Sequence, residues 1–384
     1  MKPIKLLRIT TVPMSMRLLL TGQPAFMRSR GMEVVLVSTD GPDWDAIPDV
    51  DTYPVYKIDM ARAIDLGRDA RALWALIRLF RKVRPDIVHS HTPKAGLLAM
   101  LAGWLTGVPV RMHTVAGLPL MEAKGFKRWV LEWAERLTYR CATGVYPNSI
   151  RLKTFIEAEG FTRSSKLKVI AGGSSNGIDM EYFAPSAALR SQGAEIRESW
   201  GIPATNLVYI FIGRIVRDKG VNELVEAFAA MPEKDRWLVL VGPYEDELDP
   251  VSAATLRLIH EHPRIISAGY ARDVRPYLCA SDVMVFPSYR EGFPNVPMQA
   301  GCFSLPCIVS DINGCNEIVE AEVNGLIVPV KDAGSLGKAM DRMAGDPELR
   351  TRCSAAARPM IESRYRQTAV WEALFREYND NVVH

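Results

Sequence analysis

Residues 287 to 299 read PSYREGFPNVPMQ and follow an apolar run that ends at Phe286. The run Val283–Phe286 has the length and composition of a buried strand, and Pro287 ends it. Pro297 predicts that a helix begins within this stretch, because proline is tolerated in a first helical turn, where its missing N–H would have no partner. The stretch is therefore a strand-to-helix turn at the carboxyl end of a strand, where open α/β sheets bind ligands.

Groups that bind hydroxyls and groups that bind anions come together in this turn. Glu291 lies in the turn and Gln299 lies on the helix that follows, and both side chains can form hydrogen bonds with hydroxyl groups. Backbone N–H groups at a helix N-terminus attract anions. A carboxylate, an amide and an anion-binding backbone together favour a sugar joined to a nucleoside diphosphate as the ligand.

The composition limits the classes of protein to consider. At 384 residues the chain is long enough for two domains, and 48% hydrophobic with 24% charged residues is typical of a globular protein. A formal net charge of +3, without blocks of basic residues, argues against nucleic acid as a partner. The six cysteines show no paired CxxC spacing and are interpreted as small core residues in a reducing compartment.

The chain is expected to be cytoplasmic. No signal peptide is expected, since residues 1–8 carry charges and lead straight into a strand. The longest uncharged run, 95–110, contains glycine and proline and is too short to cross a bilayer.

Strand-like runs alternate with helical patterns almost throughout, which predicts parallel sheets covered by helices on both faces. The pattern restarts after residues 182–185, so we expect two doubly wound domains with a boundary near residue 187. A separate amphipathic helix is expected over 368–380. The predicted strands are 5–9, 33–37, 86–89, 110–113 and 144–146 in the first half, and 207–212, 237–241, 265–268, 283–286, 307–310 and 325–328 in the second. The predicted helices of the first half are 17–30, 69–83, 95–106, 126–140 and 149–158; those of the second half lie near residues 221, 253, 274, 298, 317 and 335.

A second loop carries two cations. Gly213–Gly220 follows the strand 207–212 and contains Arg214 and Lys219, which are suited to binding phosphate oxygens. The segment lacks the GxGxxG spacing of a dinucleotide site, so no cofactor is expected. Two fixed positive groups can neutralise a leaving diphosphate without a metal ion, and none is expected.

These motifs carry a resemblance to a known family. Gly213-Arg214 with Lys219-Gly220, Pro287-Ser288 with Glu291 to Asn295, and Asn176 to Asp179 with Phe183 and Pro185 resemble the family-four retaining glycosyltransferases of the GT-B fold. The segment 89–96, HSHTPKAG, is similar to bacterial capsule, O-antigen and lipid-linked oligosaccharide transferases.

The resemblance implies an α/β fold of two Rossmann-like domains facing a cleft, with a C-terminal helix that crosses back onto the first domain. The domains would be 1–187 plus 366–384, for the acceptor, and 188–365, for a nucleotide sugar. Arg214, Lys219 and Glu291 would be catalytic. The donor-binding residues would be Gly213, Tyr270, Gly292, Phe293, Pro294, Asn295, Val296 and Gln299.

Three departures from the family pattern concern specific positions. Gln299 stands where the family usually has a second glutamate, and Ala116 stands where a histidine often contacts the donor sugar. His113, three residues earlier, is a candidate substitute or a core histidine. The loop 11–17 lacks the usual paired glycines. The acceptor-side candidates are Ser15, Met16, Arg17, Lys94 and His113; Lys94 would bind an acceptor phosphate or be a solvated surface lysine.

The segment 120–140 combines basic and aromatic residues on one predicted helix. Such a helix can lie at an anionic lipid surface, which would place the protein at the inner face of the plasma membrane. Trp129 and Trp133 share one helix face and fit the core equally well.

The expected reaction transfers a hexose or N-acetylhexosamine from a nucleoside diphosphate to a hydroxyl of a glycan or polyprenyl-diphosphate-linked acceptor, in surface polysaccharide assembly and with retention of configuration. UDP is expected by resemblance. Two alternatives stay open: a nucleotide-sugar 2-epimerase, which shares the architecture, and a non-catalytic protein that binds sugar nucleotides.

Overall fold

The computed structural model describes residues 2–60, 65–121, 123–232, 235–245 and 249–383. The chain forms two compact units, residues 1–177 with 367–384, and residues 178–366. The first division lies after Gly177, earlier than the expected boundary near 187. Residues 178–186 belong to the second unit, where the backbone N–H of Ile178 donates to Tyr365 O at 2.8 Å.

The first unit is built around a parallel six-stranded sheet. The order is β3-β2-β1-β4-β5-β6, so the direction of winding reverses between β1 and β4. The strands are β1 (Lys5–Ile9), β2 (Glu33–Ser38), β3 (Val55–Lys57), β4 (Ile87–Ser90), β5 (Val110–Val115) and β6 (Gly144–Pro147).

Helices cover both faces of this sheet, and their apolar sides form two buried clusters. The helices are α1 (Pro13–Leu20), α2 (Gln23–Ser29), α3 (Leu66–Val83), α4 (Pro93–Thr106), α5 (Gly125–Cys141) and α6 (Ile150–Ala158). Short 3-10 turns span Pro42–Trp44, Val50–Thr52, Pro119–Met121 and Ser164–Lys166.

The second unit repeats this plan with the order β12-β11-β10-β7-β8-β9, all parallel. Its winding reverses between β7 and β10. Such a switch point is where doubly wound sheets leave a crevice for ligands at the carboxyl ends of the strands. The strands are β7 (Leu207–Ile212), β8 (Arg236–Val241), β9 (Ile265–Gly269), β10 (Val283–Phe286), β11 (Cys307–Ser310) and β12 (Gly325–Val328).

One large buried cluster joins this sheet to its helices. The helices are α7 (Ala187–Ser199), α8 (Val221–Ala229), α9 (Ala253–Glu261), α10 (Arg275–Cys279), α11 (Asn295–Cys302), α12 (Cys315–Ile318), α13 (Ala333–Gly345) and α14 (Pro347–Tyr365). A 3-10 turn, Arg217–Lys219, precedes α8.

The last helix, α15 (Gln367–Val383), belongs to the first unit, as expected for a C-terminal helix that crosses back onto the first domain. Polar side chains fix it there. Tyr378 is fully buried and accepts a hydrogen bond from Arg8 Nη1 at 2.8 Å, and Trp371 Nε1 donates to Asn176 Oδ1 at 2.7 Å. A helix distant in sequence is thus held by specific bonds as well as by apolar packing.

One predicted helix is wrong in its extent. The stretch 17–30 is two helices, α1 and α2, separated at Thr21 and Gly22. Gly22 has φ +81°, and a Cβ there would overlap the indole of Trp371. The break lets α15 approach, which is a long-range contact that helical periodicity cannot reveal.

Three elements were not predicted: β3, α7 and α14. β3 is an edge strand of three residues with no buried member. α14 contains Pro359, which argues against a helix on sequence grounds. All the predicted strands are observed, and their ends lie within one or two residues of the expected ones.

The six cysteines are free thiols, and all except the half-buried Cys279 are buried, as expected of core residues. Within the part of the chain that the structure describes, none of the helices has the length and apolar character to cross a bilayer.

Candidate active site

Two loops meet at the switch point of the second unit. β7 pairs with β10 in parallel, with Val283 beside Tyr209, so the segments that follow the two strands leave the same edge of the sheet side by side. One is the cationic loop 213–220 and the other is the turn 287–294. The sequence placed both loops at strand ends, and the strand order makes them neighbours.

A glycine permits their contact. Gly220 has φ +70°, and a Cβ at this position would overlap the carbonyl group of Pro287. Both the left-handed backbone and the lack of space require glycine. The two loops therefore touch through backbone atoms, which fixes the side chains on either side of the contact.

Lys219 and Glu291 form the central ion pair of the site. Lys219 Nζ lies 2.5 Å from Glu291 Oε1, and each side chain is 16% exposed. The buried Ser288 hydroxyl donates to the same Oε1 at 3.0 Å. Both contacts use one carboxylate oxygen, which leaves Glu291 Oε2 available to a ligand.

Arg214 also has an acidic partner. Its Nη1 lies 2.6 Å from Glu245 Oε2, on the segment that follows β8, and its side chain is 44% exposed. Because β8 neighbours β7, this pair lies at the same sheet edge. The two predicted cations are thus both present at the carboxyl edge, each paired with a carboxylate.

The helices after these two loops present backbone N–H groups. Neither α8, whose cap is Gly220, nor α11, whose cap is Pro294, has a side chain that accepts from its first turn. In the same unit side chains cap α7, α9, α13 and α14, whereas the short helices α10 and α12 have no such cap. Uncapped N–H groups at two adjacent helix starts can bind an anion.

The other predicted donor-site residues lie around this edge. Gly213 directly follows β7 and begins the cationic loop. Gly292, Phe293 and Pro294 form the turn before α11, with Phe293 packed edge-on against Tyr365 at 5.3 Å between ring centroids. Asn295 and Val296 begin α11, and Gln299 lies half-buried on it. Tyr270, in the turn after β9, is 74% exposed.

Sequence reasoning missed the support that the turn receives from Asn313 and Gly314. Asn313 Nδ2 donates to Gly292 O at 2.6 Å. Gly314 has φ +76°, and a Cβ there would overlap the backbone of Gly292 and Phe293 and the ring of Pro294. The Asn-Gly pair after the predicted strand 307–310 was a turn signal that could have identified this contact.

The acceptor-side candidates lie in the first unit, on α1, at the start of α4 and in β5. On α1, Ser15 is half-buried, Met16 is 1% exposed within the core, and Arg17 Nη2 lies 3.3 Å from Asp43 Oδ1. Lys94, at the start of α4, has its Nζ 2.5 Å from Asp69 Oδ2. Lys94 is therefore neither solvated nor unpaired, and the side chain of Met16 serves packing.

His113 has the character of a core histidine. It is 2% exposed, and its Nδ1 lies 2.8 Å from Ser90 Oγ. Burial lowers its pKa to about 4, so the ring is neutral at physiological pH. Gly96 makes room for the ring, since a Cβ at 96 would overlap it.

Comparison with known proteins settles the family. A family model described as "Glycosyl transferases group 1" matches residues 193–360, and one described as "Glycosyl transferase 4-like domain" matches residues 25–173. A Staphylococcus aureus protein described as capsular polysaccharide biosynthesis glycosyltransferase CapM is 32% identical over 382 residues, covering 99% of this chain and 98% of the relative.

The chain belongs to this glycosyltransferase family. A further relative of the transferase is the Escherichia coli UDP-Gal:alpha-D-GlcNAc-diphosphoundecaprenol alpha-1,3-galactosyltransferase, 31% identical over 297 residues, covering 76% of this chain and 74% of the relative. The resemblance drawn from the motifs is thereby confirmed.

Solved structures share the transferase's fold. Anabaena HepE in complex with UDP superposes with a TM-score of 0.81 at 21% identity, covering 98% of this chain and all of that one. WaaG, a glycosyltransferase involved in lipopolysaccharide biosynthesis, gives 0.72 at 15% identity, covering 96% and 98%. The predicted GT-B fold is confirmed.

Replacing Gly220 by alanine tests the contact between the two loops of the transferase. The left-handed backbone alone costs about 1–2 kcal/mol for a residue with a Cβ, and the overlap with Pro287 adds to that. We expect a lower urea midpoint of unfolding. Gly345→Ala is the control, since Gly345 ends α13 and a Cβ added there would meet open space. Equal midpoints for the two variants would contradict the contact.

Proposed function

We propose that the protein is a retaining, metal-independent glycosyltransferase. It moves a hexose or N-acetylhexosamine from a nucleoside diphosphate to a hydroxyl of a glycan or polyprenyl-diphosphate-linked acceptor. The observation that carries the proposal is the Lys219–Glu291 pair at the switch point of the second unit, beside Arg214 and two uncapped helix N-termini. The cations and N–H groups suit the diphosphate of a sugar nucleotide, and the carboxylate suits the hydroxyls of its sugar.

The ion pair keeps both functional groups in place until the donor binds. In the proposed complex Lys219 turns to the diphosphate, and Glu291 accepts hydrogen bonds from sugar hydroxyls. Lys219 thus exchanges a carboxylate for phosphate oxygens, and Glu291 exchanges an ammonium donor for hydroxyl donors. Arg214 likewise exchanges Glu245 for phosphate oxygens. The cations and helix N-termini then supply the positive charge that stabilises the leaving diphosphate.

UDP is the proposed nucleotide. The support comes from similar proteins: HepE forms a complex with UDP, and the E. coli relative is named for UDP-Gal. The proposed role in surface polysaccharide assembly draws on the capsular relative from S. aureus, and the lipid-linked acceptor on the diphosphoundecaprenol of the E. coli enzyme.

Removing either cation tests the diphosphate site. We expect Arg214→Ala and Lys219→Ala each to lower kcat by on the order of 10²–10³, the effect of losing one preorganised group that stabilises transition-state charge. The measurement is transfer from a UDP-sugar to a lipid-linked acceptor.

The matched control is Arg217→Ala. Arg217 lies in the same loop, is 66% exposed and pairs with Asp249, so its loss should leave kcat near that of the wild type. Wild-type rates in the Arg214 and Lys219 variants, with UDP binding unchanged, would refute the assignment.

The anomeric configuration is retained if the leaving diphosphate takes the proton of the acceptor hydroxyl. The bond between C1 and the phosphate oxygen breaks, the acceptor oxygen bonds to C1 on the same face, and the acceptor's proton passes to a diphosphate oxygen. In this step Glu291 accepts hydrogen bonds from the sugar hydroxyls and forms no bond to C1, so no nucleophilic carboxylate is needed.

The anomeric configuration of the product tests this step. We expect the one-bond carbon–hydrogen coupling at C1 of the product to match that of the donor, measured in the same sample. An inverted product would rule out transfer on the leaving-group face.

A surface on α5 supports the proposed contact with anionic membrane. Phe126, Trp129, Trp133 and Leu137 are spaced along one helix face, and their exposed fractions run from 37% to 78%. We call these four side chains the α5 surface. Phe126 stacks on Trp129 and Trp129 contacts Trp133 edge-on, so the aromatic rings contact one another while remaining open to solvent.

Basic and aromatic neighbours extend the α5 surface. Lys124, Lys127 and Arg140 are exposed on or beside the same helix. α4 packs on both α5 and α3, and exposes Trp104. Indole rings are favoured at the boundary between water and acyl chains, and each basic residue near an anionic leaflet contributes about 1 kcal/mol.

Replacing both exposed tryptophans tests the membrane contact. Trp129→Ser with Trp133→Ser should lower co-sedimentation with phosphatidylglycerol vesicles by about tenfold or more, because apolar burial of the two rings is lost. Tyr270→Ser, an exposed aromatic of the second unit, is the control and should bind as the wild type does. Unchanged binding of the double variant would sink the proposal.

A further inference from the structure

A pocket of the first unit is lined by polar atoms that lack partners. It lies beside the carboxyl ends of β4, β5 and β6 and is small and partly open to solvent. His91, Asn148 and Ser175 line it, and both ring nitrogens of His91, Oδ1 of Asn148 and Oγ of Ser175 are buried without a hydrogen bond among the described residues. Nothing in the donor site of the second unit accounts for these atoms.

The burial of His91 is unfavourable unless something binds it. The side chain is 2% exposed, and a buried polar group without a partner destabilises a fold by its full loss of hydration. Native proteins satisfy most such groups, so several unsatisfied atoms on residues that line one pocket indicate an occupant.

Arg8 supplies a positive charge behind the pocket. Its guanidinium is fully buried, and its hydrogen-bond partners are neutral: Tyr378 at 2.8 Å and Gln23 Oε1 at 2.5 Å. It forms no ion pair with a described carboxylate, and its Nε has no partner among the described residues. Buried charges are ordinarily compensated, so Arg8 favours an anion nearby.

A chain of hydrogen bonds links Arg8 to Thr114 in the pocket wall. A guanidinium only donates, so Tyr378 accepts from Arg8 and its own O–H donates to His89 Nδ1 at 2.6 Å. His89 Nε2 then carries the proton and donates to Thr114 Oγ1 at 2.8 Å. Thr114 lines the pocket, and its hydroxyl hydrogen is left to donate into it.

We propose that this pocket binds a phosphoryl group. Its oxygens accept hydrogen bonds from Thr114, Ser175 and His91, within the positive potential of Arg8, and the Asn148 amide turns to present its NH₂. The source is the diphosphate of a lipid-linked acceptor, a step that rests on the proposed function; free phosphate is the other source of the same chemistry.

The test uses inorganic pyrophosphate and calorimetry on the full chain. The background is Arg214→Ala with Lys219→Ala, which removes the cations of the second unit. We expect this double variant to bind pyrophosphate, and Ser175→Ala added to it to weaken binding on the order of tenfold. Ser29→Ala, an exposed serine of the same unit, is the control and should change nothing.

His91→Phe in the same background separates binding from folding. Since the ring nitrogens have no partners among the described residues, a ring of similar shape should keep or raise the urea midpoint while abolishing pyrophosphate binding. The proposal is overturned if the double variant binds no pyrophosphate, or if Ser175→Ala binds it as tightly as the Ser29→Ala control. Should His91→Phe fail to fold, the Ser175 comparison decides.

Kinetics on the otherwise wild-type chain identify the source. If the acceptor diphosphate occupies the pocket, Ser175→Ala raises KM for the acceptor and leaves KM for the nucleotide sugar unchanged. If free phosphate occupies it, acceptor KM stays constant while any effect of added phosphate disappears. If the proposed transferase function is wrong, no transfer is seen although pyrophosphate still binds. If the phosphoryl site is wrong, pyrophosphate does not bind, so the two failures are distinguishable.

Discussion

The approach of Gly220 to the carbonyl of Pro287 is the constraint on which the proposed donor site depends. It exists because β7 and β10 are neighbours in a sheet whose winding reverses between them. With the backbones in contact, Lys219 and Glu291 are close enough to form an ion pair, and Ser288 and Asn313 hold the turn from the other sides. The chemistry of the site is thus set by backbone geometry before any ligand arrives.

Polar side chains at the carboxyl edges of the two sheets have different kinds of partner. In the second unit Arg214 and Lys219 each have a carboxylate partner, so in the proposed complex ligand binding would exchange one ionic contact for another. In the first unit, among the described residues, Arg8 has only neutral partners and the ring nitrogens of His91 have no hydrogen-bond partner, which leaves an uncompensated charge and unmet hydrogen bonds. A site of the first kind is preorganised, whereas one of the second kind gains stability from its ligand. This difference is why pyrophosphate is a discriminating probe of the first unit.

The sequence predicts what depends on local pattern. The strands of the second unit are apolar runs with clear ends, and Lys219 and Glu291 could be identified because each follows such a run. Contacts between distant segments escape this reasoning. The break at Gly22 exists for Trp371, the support of Asn313 reaches back to Gly292, and Arg8 meets Tyr378 across almost the whole chain. A charged residue inside the apolar run 5–9 was the one local sign of that last contact.

The aromatic residues of α5 show a different limit. Trp129 and Trp133 lie four residues apart, a spacing that suits a core-facing stripe and a surface stripe equally. Packing decides between them: α5 turns Tyr139 and Cys141 inward and leaves Phe126 and both tryptophans exposed. Contiguous exposed aromatic side chains are uncommon on soluble proteins without a partner. Since basic residues flank the stripe, an anionic lipid surface satisfies both its apolar and its charged character, which a purely apolar protein partner would not.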